Sequence, residues 1–205
     1  LRDGGEGMTQ LGIKDELFIR GKIPMTKQEI RILVMAKAMI KPDDIIIDIG
    51  AGTGSISIEA ALQASSGHVY AIERNSEGVA LISANADNFK VKNITVISGN
   101  APIALNGLPQ ADVIFIGGSG GHLKDILAKT DELLKQGGRL IVTAVTIETL
   151  YQALTIMQSN GNYEISASGV QVTRIKQVAA VNMLEALNPI YIIACIKGGH
   201  NDTTR

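Results

Sequence analysis

The chain has 205 residues, with 19 Lys or Arg against 20 Asp or Glu, and its formal net charge of −1 excludes the simple electrostatic modes of binding nucleic acid or a membrane surface. At 45% hydrophobic and 19% charged, with 22 glycines and 3% aromatics, the composition is that of an aliphatic-cored globular protein and excludes a disordered one. A single cysteine, Cys195, excludes an internal disulfide, so a reducing, cytoplasmic setting is the default, and no signal peptide or transmembrane-length apolar run is visible.

The first residues, Leu1 to Gly7, are Gly-rich and polar and precede Met8. Residues 1–10 are expected to form a flexible leader and 11–205 a single domain. Thr26, followed three residues later by Glu29, reads as a capping box that opens an apolar helix running to about Met39, with Pro42 beyond its end. From Ile45 onward, short Ile/Val runs alternate with helical patterns, which predicts a parallel sheet covered on both faces. The predicted strands are Ile45 to Asp48, Val69 to Glu73, Ile94 to Ile97, Val113 to Ile116 and Leu140 to Ala144.

Between the strands, Val79, Ile82, Ala86 and Phe89 share one helical face, as do Leu123, Ile126, Leu127 and Leu134, then Leu150, Leu154 and Met157. Lys135-Gln136-Gly137-Gly138-Arg139 reads as a helix stopped by two glycines before the last of these strands. Tyr163 to Thr173 and Ile190 to Ile196 are two further strand-like runs joined by a mixed segment too irregular for a crossover helix, so an antiparallel pair at one sheet edge is expected. The fold class is therefore α/β: a Rossmann-like sheet of five parallel strands plus an antiparallel C-terminal pair, with helices on both faces.

The sharpest motif is Asp48-Ile49-Gly50-Ala51-Gly52-Thr53-Gly54-Ser55, leaving the first strand and entering a helix that runs to about Ala64. Glycines at such a turn let a ligand lie against bare backbone. A dinucleotide fingerprint would carry its third glycine at position 55, where this chain has Ser. G-x-G-x-G after Asp-Ile is the loop of class I methyltransferases, whose cofactor, S-adenosylmethionine, has no phosphate to cradle. Glu73 closes the second strand about twenty residues past the loop, where a carboxylate accepts hydrogen bonds from ribose hydroxyls. Ser98-Gly99-Asn100-Ala101 follows the third strand where these enzymes usually carry an acid that meets the adenine amine, and Asn100 can accept that bond without the charge.

On the substrate side, the segment leaving the fourth strand is Gly117-Gly118-Ser119-Gly120-Gly121-His122. It lacks the N-P-P-Y or D-P-P-Y of amino-directed base methyltransferases, and it offers backbone N–H groups and room for a bulky substrate.

Over most of its length the chain resembles the decarboxylating precorrin carbon-15 methyltransferases of the cobalamin pathway. The resemblance is carried by Gly12 to Phe18, Met25 to Arg31, Gly50 to Gly54, Ala71 to Asn75, Gly99 to Pro102, the loop Gly117 to Gly121, and Asn188 to Tyr191. Two positions depart from the family pattern: Lys14, where proline is expected before Asp15, and Asn100, where aspartate is usual. The resemblance implies S-adenosylmethionine contacts from Thr26, Gly50, Ala51, Gly52, Thr53, Gly54, Glu73, Asn100 and Ala101, and a substrate pocket roofed by Gly118, Ser119, Gly120 and Gly121. It implies a tetrapyrrole substrate, assembly as a homo-oligomer, commonly a tetramer, and a carbon-5 methyltransferase as separate partner or fused domain.

Such chemistry asks for alignment and exclusion of water more than for a strong general base, which agrees with the lack of an obvious catalytic constellation. For a polycarboxylate substrate, Lys14, Arg20, Lys22, Arg174 and Lys176 are candidate partners by charge alone. His68, His122 and His200 lack metal-ligand spacing, so no metal site is assigned. Cys195, Met25, Met35 and Met39 read as packing residues. Two alternatives stand beside this reading. One is a class I methyltransferase acting on RNA or protein, which zero Trp and three Phe hardly support; the other is a non-catalytic cofactor- or nicotinamide-binding module.

Overall fold

The computed structural model describes residues 11–198, so the leader expected over residues 1–10 and His200 lie outside the described residues. The apolar runs become β1 (Ile45–Ile49), β2 (His68–Glu73), β3 (Ile94–Ser98), β4 (Ala111–Ile116) and β5 (Leu134–Ala144), all parallel and in the order β3-β2-β1-β4-β5. Successive strand residues point to opposite faces. Ile46, Val113 and Ile141 accordingly enter one core with α1 (Gln28–Ala38) and α2 (Ser55–Gln63), whereas Ile47, Ile114 and Val142 enter the other with α4 (Leu123–Leu133) and α5 (Ile147–Ser159). Each fully buried isoleucine contributes about 1.5–3 kcal/mol, which is why strands this apolar stay between two helix layers. The helix α3 (Ser76–Asn88) is opened by Asn75, whose side chain accepts from the Glu77 amide.

The antiparallel pair forms as expected: β6 (Tyr163–Val170) and β9 (Ile190–Lys197) pair together. In addition, β9 pairs antiparallel with β5, completing a seven-stranded sheet in the order β3-β2-β1-β4-β5-β9-β6. The mixed segment between them folds as a separate hairpin, β7 (Thr173–Val178) and β8 (Val181–Ala186), which the periodicity does not reveal because most of its residues face solvent and carry no in-out alternation. Cys195 is buried in β9, and Met25 and Met35 pack inside, but Met39 is 57% exposed as the left-handed residue that ends α1.

Two further local expectations give way. The helix α1 starts at Gln28 with Lys27 at its cap and no side-chain cap bond, so Thr26 does not form a capping box; Asp15 accepts the Gln28 amide instead, and Glu29 turns to Arg174. A tertiary acid outcompetes the local threonine because it is also held by Arg31. The glycine pair does not end α4, which stops at Leu133. Leu134 already pairs with Ala111, and Gly137 and Gly138 sit in an excursion of β5 before Arg139 rejoins the ladder opposite Val113.

Candidate functional site

Ligands of open α/β sheets bind beyond the carboxyl ends of the strands, and here that edge holds two adjoining cavities of about 560 and 390 Å³. Both are bordered by Pro24, Gly50, Gly52 and Gly117, so they meet across the glycine turn. Gly50 has φ +73°, and a Cβ there would stand 2.6 Å from the Gly118 carbonyl oxygen, a position only glycine can occupy. The turn is held from below by the Gly50 and Ala51 amides, which donate to the Ile72 carbonyl at 2.9 and 3.1 Å.

The smaller cavity carries Glu73, Gly99, Asn100, Ala101 and, from the loop after β4, Gly118, Ser119 and Gly120. Glu73 is 8% exposed and fixed at both oxygens, accepting the Gly52 amide at 2.9 Å and the Asn75 amide at 2.8 Å. A carboxylate with both oxygens anchored presents its remaining lone pairs to the cavity in one orientation. Asn100 is exposed at the rim. Gly120 leaves room for Arg74, whose guanidinium lies 2.5 Å from where a Cβ would be, and His122 stands just before α4 without a side-chain bond to its first turn.

The larger cavity carries Thr26, Ala51 and Thr53, and it takes Gly117 alone from the loop after β4. The expected substrate loop and the expected ribose carboxylate therefore share one cavity, while Gly121 borders neither. Thr53 is 1% exposed and its hydroxyl has no hydrogen-bond partner, so a buried polar group on this wall awaits one. Asp48, on the same wall, is 1% exposed and accepts the Ser57 hydroxyl; burial pushes its carboxyl up to about 6. Its signature in the sequence is one acid within an otherwise apolar strand. Val145, Val172 and Leu187, also on this wall, come from segments where no motif marks it, whereas Asn188 and Ile190 belong to the Asn188 to Tyr191 run that carries the resemblance.

The segment bearing Thr26 is pinned by a buried ion network. Arg31, 0% exposed, pairs with Glu59 at 2.7 Å and Asp15 at 2.8 Å and donates to the Thr26 and Ile13 carbonyls. Glu59 accepts the Gly12 and Ile13 amides, both at 3.1 Å. Arg174, a candidate substrate cation by charge, is instead engaged with Asp15 and Glu29 at 2.9 and 2.7 Å. Burial works to raise the Asp15 carboxyl, but bonding and charge from Arg174 and Arg31 outweigh it and hold it below its ordinary value. Lys14, Arg20, Lys22 and Lys176 border neither cavity. Among the described residues no group of His, Cys, Asp and Glu is arranged to hold a metal ion, and no helix is long and apolar enough to cross a membrane.

A glycine turn leaving β1 of a β3-β2-β1-β4-β5 sheet, with an anchored acid ending β2, defines a class I methyltransferase fold. The precorrin methyltransferase domain matches residues 16–197, and the chain belongs to that family. It is 40% identical, over 90% of its length and 96% of the relative's, to the cobalt-precorrin-6B C(15)-methyltransferase (decarboxylating) of Salmonella typhimurium. Among solved structures, the precorrin-6y C5,15-methyltransferase of Geobacter metallireducens aligns with a TM-score of 0.87 at 37% identity, covering 91% of this chain and 98% of that one. The precorrin 8W decarboxylase of Methanobacterium thermoautotrophicum aligns with a TM-score of 0.84 at 33% identity, covering 89% and 98%.

Proposed function

We propose that this chain methylates carbon 15 of a precorrin or cobalt-precorrin from S-adenosylmethionine, with loss of an acetate arm's carboxyl as carbon dioxide, in cobalamin biosynthesis. The observation that carries the reading is the glycine turn joining two cavities, one with an anchored acid and one larger and mainly apolar, in a member of the precorrin methyltransferase family. The residues suit the cofactor: Glu73 would accept from the ribose hydroxyls, Asn100 and Ala101 would border the adenine, and Gly50, Ala51 and Gly52 would offer it backbone, whereas Gly54 borders neither cavity and makes room for Ile82 instead. Thr26 and the partnerless Thr53 hydroxyl would meet the methionyl end. When bound, the cofactor supplies a methyl group already activated on a sulfonium. The protein's part is then to orient the acceptor carbon and exclude water, and Gly118, Ser119 and Gly120, expected over the substrate, would instead cover the cofactor in the smaller cavity.

Titration calorimetry with S-adenosylhomocysteine and with NADH tests the cofactor. Micromolar binding of the first and none of the second is expected; NADH binding alone, or neither, would return the turn to a structural role. Mass spectrometry of cobalt-precorrin-6B after incubation then reads methyl gain and carbon dioxide loss.

A homotetramer in the cytoplasm completes the proposal. Its support is the hairpin β7–β8, where Ile175 is 71% and Leu184 74% exposed, a degree of apolar exposure that marks contact surfaces. The name of the Geobacter structure joins carbon 5 to carbon 15, which supports a carbon-5 methyltransferase as partner or fused domain.

A further inference from the structure

A cavity of about 560 Å³ falls within the range of roughly 300–1,000 Å³ that encloses one drug-sized ligand. A tetrapyrrole carrying acetate and propionate arms is larger than such a ligand, and part of this wall, Gly50, Gly52 and Thr53, belongs to the turn that would hold the cofactor. Most of the macrocycle must therefore lie outside the walls, on whatever surface adjoins them.

That surface is apolar and open. Val145 borders the cavity and is still 69% exposed; two and six residues further along the chain, Ile147 is 81% and Tyr151 69% exposed. Ile147 and Tyr151 stand four apart in α5 and so share one side of the helix. Three large apolar side chains left in solvent, the first of them on the cavity wall, mark a binding surface, and a tyrosine ring offers a face to a conjugated macrocycle. Charge points the same way. Lys27, half-buried at the cap of α1, is the one cationic side chain among the described residues bordering the larger cavity, and it makes no ion pair, in contrast to Arg174.

Resting on the function proposed above, we infer that Val145, Ile147 and Tyr151 form a shelf for the face of the substrate macrocycle and that Lys27 binds one of its carboxylate arms. This makes the shelf and Lys27 determinants of substrate affinity with no part in cofactor binding.

Kinetics with cobalt-precorrin-6B and S-adenosylmethionine test it, with calorimetry of S-adenosylhomocysteine as the control. Lys27→Met should raise KM for the tetrapyrrole about tenfold with kcat nearly unchanged, and Lys27→Arg should restore it. Ile147→Ser combined with Tyr151→Ser should raise KM about fivefold. S-adenosylhomocysteine affinity should be unchanged throughout. Unaltered KM in both variants would overturn the inference. So would weakened S-adenosylhomocysteine binding by Lys27→Met, which assigns Lys27 to the cofactor, or a change in oligomeric mass without a change in KM for the shelf variant, which makes the shelf a contact between copies. Failure of the unaltered chain to methylate the tetrapyrrole would overturn the proposed function and this inference together, which separates the two kinds of failure.

Discussion

The glycine turn and the β7–β8 hairpin are opposite ways of making a surface. At the turn the working groups are backbone amides and one doubly anchored carboxylate, packed so closely that a single Cβ at Gly50 would meet the Gly118 carbonyl. In the hairpin the backbone pairs only within itself, and the working groups are exposed side chains such as Ile175 and Leu184. A surface made by backbone demands particular residue types at fixed spacing, whereas one made by side chains tolerates many sequences. The first kind is therefore specified where the chain turns, and the second where it meets something else.

The sharpest way to break the contrast is to loosen the turn's supports. Arg31→Met strips the charge partner from Glu59 and one of two from Asp15, which keeps Arg174, and should lower unfolding free energy by about 3–5 kcal/mol, read from urea denaturation. A loss below 1 kcal/mol would mean that the network adds no rigidity. Next, Glu73→Ala should weaken S-adenosylhomocysteine binding by about 1–3 kcal/mol for a charged hydrogen bond; unchanged calorimetric affinity would remove Glu73 from the site.

A subtler effect is expected at Asp48. Because burial raises its carboxyl from 3.8 to about 6, the stability it confers is present below the lower value and lost as pH rises through the higher one. Above about 6 the ionised group favours a cationic ligand, so S-adenosylmethionine affinity should climb between pH 5 and 7, and Asp48→Asn should flatten that climb. A slope unaffected by the substitution would place the titrating group elsewhere. The smallest effect on a single protomer is at the hairpin: Ile175→Ser with Leu184→Ser should change the protomer's own stability by no more than about 0.5 kcal/mol, as surface changes do. It should reduce the mass seen by light scattering; an unchanged mass would remove the hairpin from the proposed assembly.

The parallel strands were legible from their Ile- and Val-rich runs, nearly unbroken where both faces are buried as in β1 and β4, and Gly50, Gly52 and Glu73 stood out as positions of the cavity edge because a backbone turn and an acid ending an apolar strand leave a local trace. Thr26 illustrates the limit. Its spacing to Glu29 is locally ideal for a cap, yet Asp15 takes the amide across 13 positions because Arg31 fixes that acid in place. Contacts of this kind leave no periodic trace. Val172 and Leu187 were illegible for a related reason, since both border the larger cavity only because the hairpin's two ends converge there.

The position of β9 also governs how the chain can be made. It is the last strand in chain order among the described residues, yet it lies between β5 and β6. During synthesis the five parallel strands can assemble as they emerge, while β6 has no neighbour in the sheet until β9 arrives. The last strand is thus a keystone: an arrested or shortened product lacking it would leave the edge of β5 unpaired and open to aggregation and proteolysis.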